Sequence, residues 1–150
     1  MLQKLQKRKE GFTIIEVLIV LAIAGLILLV VFLAVPALQR NSRNTQRKNE
    51  VSAILGGINE WANNNSGKLP TTAAERTAAL ANSKLSFYTT GNVTWVAAGA
   101  NSASTEHVQI ATGAKCNGGD STATGASGRQ LALMYTVETG GGTQELCQDS

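Results

Sequence analysis

Few side chains in this sequence have the type and spacing to do chemistry, and the most telling is a carboxylate in an unexpected place. Glu16 is the one ionisable residue in an apolar run covering residues 12–38. A carboxylate costs roughly 2.5–3.5 kcal/mol at the centre of a bilayer and less near its edge. Its natural chemistry there is to meet a cation. The junction Lys9-Glu10-Gly11-Phe12-Thr13-Ile14-Ile15-Glu16 offers one, because a cut between Gly11 and Phe12 creates a new amine one helical turn before Glu16. Other chemistry is hard to find. His107 is the only histidine and sits beside a predicted strand, where a lone imidazole is far more often packed or solvated than catalytic. There is no HExxH, no phosphate-cradling Gly-Lys-Ser/Thr and no nucleophile elbow. The only aspartates are Asp120 and Asp149, whereas a calcium site needs clustered oxygen ligands. The expectation is a protein without catalytic residues, metal or cofactor, which disfavours a membrane-anchored enzyme.

The apolar run is long enough to span a bilayer, since about 20 helical residues cover roughly 30 Å. Three readings compete for residues 1–38. One is a cleaved secretory signal with Val35-Pro36-Ala37 as a faint cut site, although the run exceeds the usual apolar region of about 7–15 residues. The second is an uncleaved anchor. The third is a short leader removed at Gly11/Phe12, leaving the apolar segment in place. Charge supports a separate leader. Lys4, Lys7, Arg8 and Lys9 against Glu10 carry the whole net charge of +3, so residues 12–150 are balanced at nine basic and nine acidic side chains. The basic pI therefore belongs to the leader and is no nucleic-acid signal. Basic residues flank the span on both sides, with Arg40, Arg43, Arg47 and Lys48 following it. The short N-terminal tail and the cysteines orient it, with the leader inside and residues 39–150 outside.

The decamer Gly11-Phe12-Thr13-Ile14-Ile15-Glu16-Val17-Leu18-Ile19-Val20 resembles the class III signal of type IV pilins: a basic leader ending in Gly, then Phe, then Glu in the fifth position after the cut. Gly25 also fits the family's helix, and the resemblance runs over roughly residues 8–38. It implies cleavage after Gly11 by a prepilin peptidase, methylation of the Phe12 amine, and burial of the apolar helix in the core of an extracellular filament of like subunits. It also implies that the amine of an incoming subunit meets Glu16 of a neighbour. The chain would then be a single-pass protein of the cytoplasmic membrane before assembly and a fimbrial subunit afterwards, with the family's uses in adhesion and twitching motility. One departure stands out. Many relatives carry a helix-kinking proline where this chain has Leu33, and here the proline is Pro36, so the kink is expected nearer the C-terminal end. A minor pilin or a type II secretion pseudopilin is an alternative, although the scarcity of aspartates disfavours the calcium-binding major pseudopilins. A pilin for DNA uptake is another.

Beyond the span the apolar pattern changes. Val51, Ile54, Leu55, Ile58, Trp61 and Ala62 share one helical face, opposite Asn49, Glu50, Ser52, Asn59, Glu60 and Asn63. The helix is expected to continue past Pro36, soften at Gly56-Gly57 and end in Asn63-Asn64-Asn65-Ser66-Gly67, a length of roughly 80 Å. Thr72-Ala73-Ala74-Glu75 reads as a capping box opening a short helix to about Asn82. Residues 85–90 and 93–97 read as a hairpin about Gly91-Asn92, with further strands at 107–111 and 131–138, the latter placing Leu131, Leu133, Tyr135 and Val137 on one face. Residues 115–128 read as a loop rich in Gly, Ser and Thr, and Gly140-Gly141-Gly142 as a turn. Cys116 and Cys147 are expected to bridge in an exported domain, the alternative being two free thiols. The predicted fold is α+β: a long N-terminal helix, apolar then amphipathic, on a small antiparallel sheet closed by a C-terminal disulfide loop. Its parts are a leader (1–11), a membrane and filament-core helix (12–38) and an extracytoplasmic domain (39–150). Arg40, Arg43, Arg47 and Lys48 read as a solvated basic cluster at the membrane interface, with DNA contact as the competing reading.

Overall fold

The computed structural model describes residues 11–99, 104–118, 120–125 and 128–150. The expected leader falls on 1–10, outside the described residues. The chain divides into two units, 1–38 and 39–150. Helix α1 (Ile14–Asn64) contributes its first turns to one and its later turns to the other.

In the first unit the large apolar residues of α1 are exposed: Ile14 is 82% exposed, Phe32 73% and Leu33 73%. Pro36 is accommodated inside the helix, which continues around it. By length and composition this helix can cross a membrane.

In the second unit the amphipathic face works as its spacing predicts. Val51, Ile54, Leu55, Ile58 and Ala62 are buried. Val51, Ile54, Leu55 and Ile58 pack with Leu131, Leu133, Tyr135 and Val137 of strand β5 (Leu131–Thr139) in one apolar core. The helix ends where the chain turns left-handed at Ser66 (φ 58°) and Gly67 (φ 76°), and the Gly67 N–H closes on the Ala62 carbonyl at 2.7 Å. Helix α2 (Ala73–Ala81) begins with the expected capping box: the Thr72 hydroxyl accepts from the Glu75 N–H, and the Glu75 carboxylate accepts from the Thr72 N–H. The backbone N–H groups of Thr72 and Thr71 hold the Glu75 carboxyl down at about 2. Helix α2 crosses α1 at Gly57, where a Cβ would lie 2.5 Å from Ser83 Oγ and 3.0 Å from the Ala79 carbonyl oxygen.

The sheet is mixed and four-stranded, in the order β1 (Val93–Val96), β2 (Val108–Thr112), β5, β6 (Gly142–Asp149). Strand β1 runs parallel to β2, with Val93 opposite Val108, and the remaining pairs are antiparallel. β1 and β2 therefore belong to a crossover and not to adjacent hairpin arms. Residues 85–90 are not a strand, because the N–H groups of Ser86, Phe87 and Tyr88 donate to the Glu50 carboxylate of α1 at 3.0, 2.6 and 2.8 Å. A short 3-10 turn, Thr90–Asn92, follows.

Two corrections concern the C-terminal third. The expected loop at 115–128 contains a ribbon, β3 (Ala114–Asn117) with β4 (Asp120–Gly125), antiparallel and irregular between Cys116 and Asn117. The stretch after Gly140-Gly141 is the eight-residue strand β6, paired along β5 from Thr139 opposite Gly142 to Ala132 opposite Asp149. Ala111, Ala114, Ala132 and Met134 form a second small core, against which Cys116 and Cys147 pack. Those cysteines are joined, with Cα atoms 5.7 Å apart, and tie β3 to β6.

Candidate functional site

The Gly11–Phe12 bond precedes α1 in non-helical backbone, and Phe12 is 89% exposed. A non-helical, accessible peptide is what a peptidase needs. Glu16 lies in the first turn. Its Oε2 accepts from the Thr13 N–H at 2.7 Å and from the Thr13 hydroxyl at 2.8 Å, while Thr13 Oγ1 accepts from the Glu16 N–H at 3.3 Å. This is a reciprocal capping box, and it satisfies two of the N–H groups that a helix start leaves orphaned. Sequence reasoning singles out Glu16 without its partner, although Thr13-Ile14-Ile15-Glu16 carries the same spacing as Thr72-Ala73-Ala74-Glu75 and is legible by the same rule. The carboxylate keeps unused acceptor capacity on Oε1, which takes no hydrogen bond among the described residues.

The four basic residues after the span differ in their burial and in what they pair with. Arg47 is buried at 2% exposure. One of its terminal nitrogens donates to Glu138 Oε1 at 2.7 Å and the other to Asn44 Oδ1 at 2.9 Å, and the guanidinium lies 4.7 Å from the centre of the Phe87 ring. Arg43 forks onto both oxygens of the same carboxylate, at 3.2 and 2.5 Å. Arg40 donates to the Thr139 carbonyl at 3.3 Å. Asn44 pairs with the Glu138 backbone, giving its amide N–H to the carbonyl at 2.7 Å and accepting the backbone N–H at 2.8 Å. Lys48 is exposed and its ammonium has no partner among the described residues. The arginines thus clamp the β5–β6 turn to α1. Hydrogen bonds from Arg43 and Arg47 hold the Glu138 carboxyl down at about 2, and the Glu138 carboxylate in turn raises the Arg43 pKa.

Glu50 is the second carboxylate that organises this unit, and sequence reading placed it on the polar face. It is 5% exposed. Burial pushes its pKa up, but the N–H groups of Tyr88, Phe87 and Ser86 and the Ser86 hydroxyl outweigh burial, and the net shift is downward. Nothing in the local pattern marked it, since its partners are 36 to 38 residues away.

Cys116 donates its backbone N–H to Asp149 Oδ2 at 2.8 Å, so one of the two aspartates is engaged beside the disulfide. His107 Nδ1 lies 2.8 Å from Ser104 Oγ, in the turn before β2. Among the described residues, no group of three His, Cys, Asp or Glu side chains is placed to hold a metal ion.

Among protein families, the prokaryotic N-terminal methylation motif matches residues 6–32. The chain carries the class III signal of type IV pilins. The motif supports a pilin-like or pseudopilin precursor, a structural subunit in preference to an enzyme. Such a motif implies processing by a prepilin peptidase and assembly with other pilins, and together with the apolar helix it points to membrane insertion before assembly. Neither the curated proteins nor the solved structures yield a match to the chain.

Proposed function

We propose that this chain is the precursor of a structural subunit of a type IV pilus. The observation that carries this reading is the methylation motif over residues 6–32, set at the head of a helix whose large apolar residues from 12 to 38 are exposed, from 39% at Val35 to 89% at Phe12. Apolar surface of that extent stabilises an assembly by about 25 cal/mol for each Å² removed from water, so it calls for lipid first and neighbouring copies later. In this reading residues 1–11 are a cytoplasmic leader removed after Gly11, Phe12 carries the methylated amine, and 12–38 form the membrane segment that becomes filament core. Residues 39–150 are the extracytoplasmic domain displayed on the surface of the homopolymer. A DNA-uptake role draws no support from the basic cluster, because Arg43 and Arg47 spend their charge on Glu138.

Mass spectrometry of the mature N-terminus tests the pathway: a methylated Phe12 is expected, and a start after Ala37 would refute it. Subunit abundance in sheared filaments separates a major from a minor subunit. The role of Glu16 is tested by two substitutions. A capping box accepts Gln as well as Glu, so Glu16→Gln keeps the Thr13 cap and removes only the charge. Both Glu16→Gln and Glu16→Ala should insert and be cut at Gly11. Neither should build filaments, since an unpaired buried amine costs on the order of 3–5 kcal/mol per subunit. Normal filaments from Glu16→Gln would reduce Glu16 to a helix cap.

A further inference from the structure

We propose that the cleft at the C-terminal end of α1 binds an acidic saccharide, a sugar ring bearing a carboxylate. The cleft encloses ≈ 730 Å³, and its walls include Trp61, Asn64, Asn65, Lys68, Glu75 and Arg129. That volume falls within the range of about 300–1,000 Å³ typical of small-ligand sites. The way α1 ends builds it. The left-handed pair Ser66 and Gly67 turns the chain back along the helix end. Gly67 has no side chain where Arg129 lies, and a Cβ there would be 2.5 Å from the guanidinium carbon. Arg129 is therefore laid over the turn at the cleft wall.

The charges are what point to an anion. Neither Lys68 nor Arg129 has an ion-pair or hydrogen-bond partner for its side chain among the described residues. Among the described residues of the wall the one carboxylate, Glu75, is held at the start of α2. It accepts from the N–H groups of Thr71 and Thr72, each at 2.9 Å, and from the Thr71 hydroxyl at 3.1 Å. Those bonds all fall on Oε2, and Glu75 forms no ion pair with Lys68 or Arg129, so the described wall carries two cations to one carboxylate. Two free cations stand beside an indole and the side-chain amides of Asn64 and Asn65. This set matches an acidic sugar: the guanidinium takes the carboxylate in a forked bond, the amides exchange hydrogen bonds with ring hydroxyls, and the indole covers the apolar ring face.

A nucleic acid fits less well. Its affinity comes from a track of phosphate contacts. Residues 12–150 are charge-balanced, Arg43 and Arg47 are paired with Glu138, and the Arg76 guanidinium stacks 5.0 Å from the centre of the Trp95 ring. The inference is independent of whether the chain polymerises.

The test uses the full chain in detergent micelles, titrated calorimetrically with sialyllactose, with neutral lactose as control and a short oligothymidylate as the competing class. Sialyllactose should bind, and lactose should bind at least about tenfold more weakly, a difference of about 1.4 kcal/mol. Arg129→Gln and Lys68→Gln, both at exposed positions, should each weaken sialyllactose binding by about the same factor with an unchanged circular dichroism spectrum. Absent sialyllactose binding, equal binding of lactose, or affinity indifferent to Arg129→Gln would overturn the proposal. Oligothymidylate binding tighter than sialyllactose and lost with the same substitutions would assign the cleft to nucleic acid instead.

Discussion

Replacing Glu138 by Ala removes one carboxylate that two arginines share, and the structure separates what each loses. The backbone bonds between Glu138 and Asn44 remain, so the substitution deletes only the ion pairs. Arg43 has a side chain 44% exposed and rehydrates, at a cost of up to about 1 kcal/mol. The Arg47 side chain is 3% exposed and loses its only carboxylate partner among the described residues. An uncompensated buried charge costs about 3–5 kcal/mol, and the Phe87 ring offsets none of it, because Arg47 already lies over that ring in the intact protein. Glu138→Ala should therefore cost about 3 kcal/mol or more, and Arg43→Ala about 1 kcal/mol or less. Adding Arg47→Met to Glu138→Ala should restore most of the loss, because an apolar side chain needs no partner there. Both tryptophans, Trp61 and Trp95, lie in the 39–150 unit, so tryptophan emission during denaturant titration of the micellar protein reads its unfolding. Acidity offers a second readout. Glu138 titrates at about 2 in the folded protein against an ordinary 4.5, so its contribution is complete above 4.5 and is lost as pH falls from there towards 2. The gap between wild type and Glu138→Ala should close over that interval. A Glu138→Ala cost below about 1 kcal/mol, or one that Arg43→Ala equals, would refute the assignment of the burden to Arg47.

Glu50→Ala strands the buried amide of Tyr88, while the amides of exposed Ser86 and half-buried Phe87 can turn to water; at about 1–3 kcal/mol per unsatisfied buried donor it should cost about 1–3 kcal/mol by the same titration, and a loss below about 1 kcal/mol would mean that water reaches Tyr88 too. The adjacent glycines of α1 should respond with opposite signs in thermal melts. Gly56→Ala meets nothing within 4 Å and should stabilise by about 0.5–1 kcal/mol, whereas Gly57→Ala meets Ser83 and the Ala79 carbonyl and should destabilise by about 1–3 kcal/mol. Equal responses would show that α2 yields freely. Replacing both Cys116 and Cys147 by Ser, whose separation is 31, should lower stability by roughly 3–4 kcal/mol, and an unchanged midpoint would argue against the bridge as a restraint.

Properties written in neighbouring residues were decided by the sequence alone. The apolar run with its single Glu16 after Gly11-Phe12, the buried face from Val51 to Ala62 and the Thr72–Glu75 cap all depend on spacings of one helical turn, and a turn is set by local geometry. Tertiary structure decided the rest through partners far away in the chain. Residues 85–90 have strand composition but lose the amides of Ser86, Phe87 and Tyr88 to Glu50. Strand β6 has no alternating apolar pattern and is held by the ladder of β5, while β1 pairs in parallel with a strand beyond an intervening crossover. Arg43 and Arg47 resemble solvated interface charges until a carboxylate 95 and 91 residues later claims them. Burial leaves a periodic trace when an element has one dry and one wet face. A hydrogen bond or ion pair across the chain leaves none, because either partner alone looks like an ordinary polar residue.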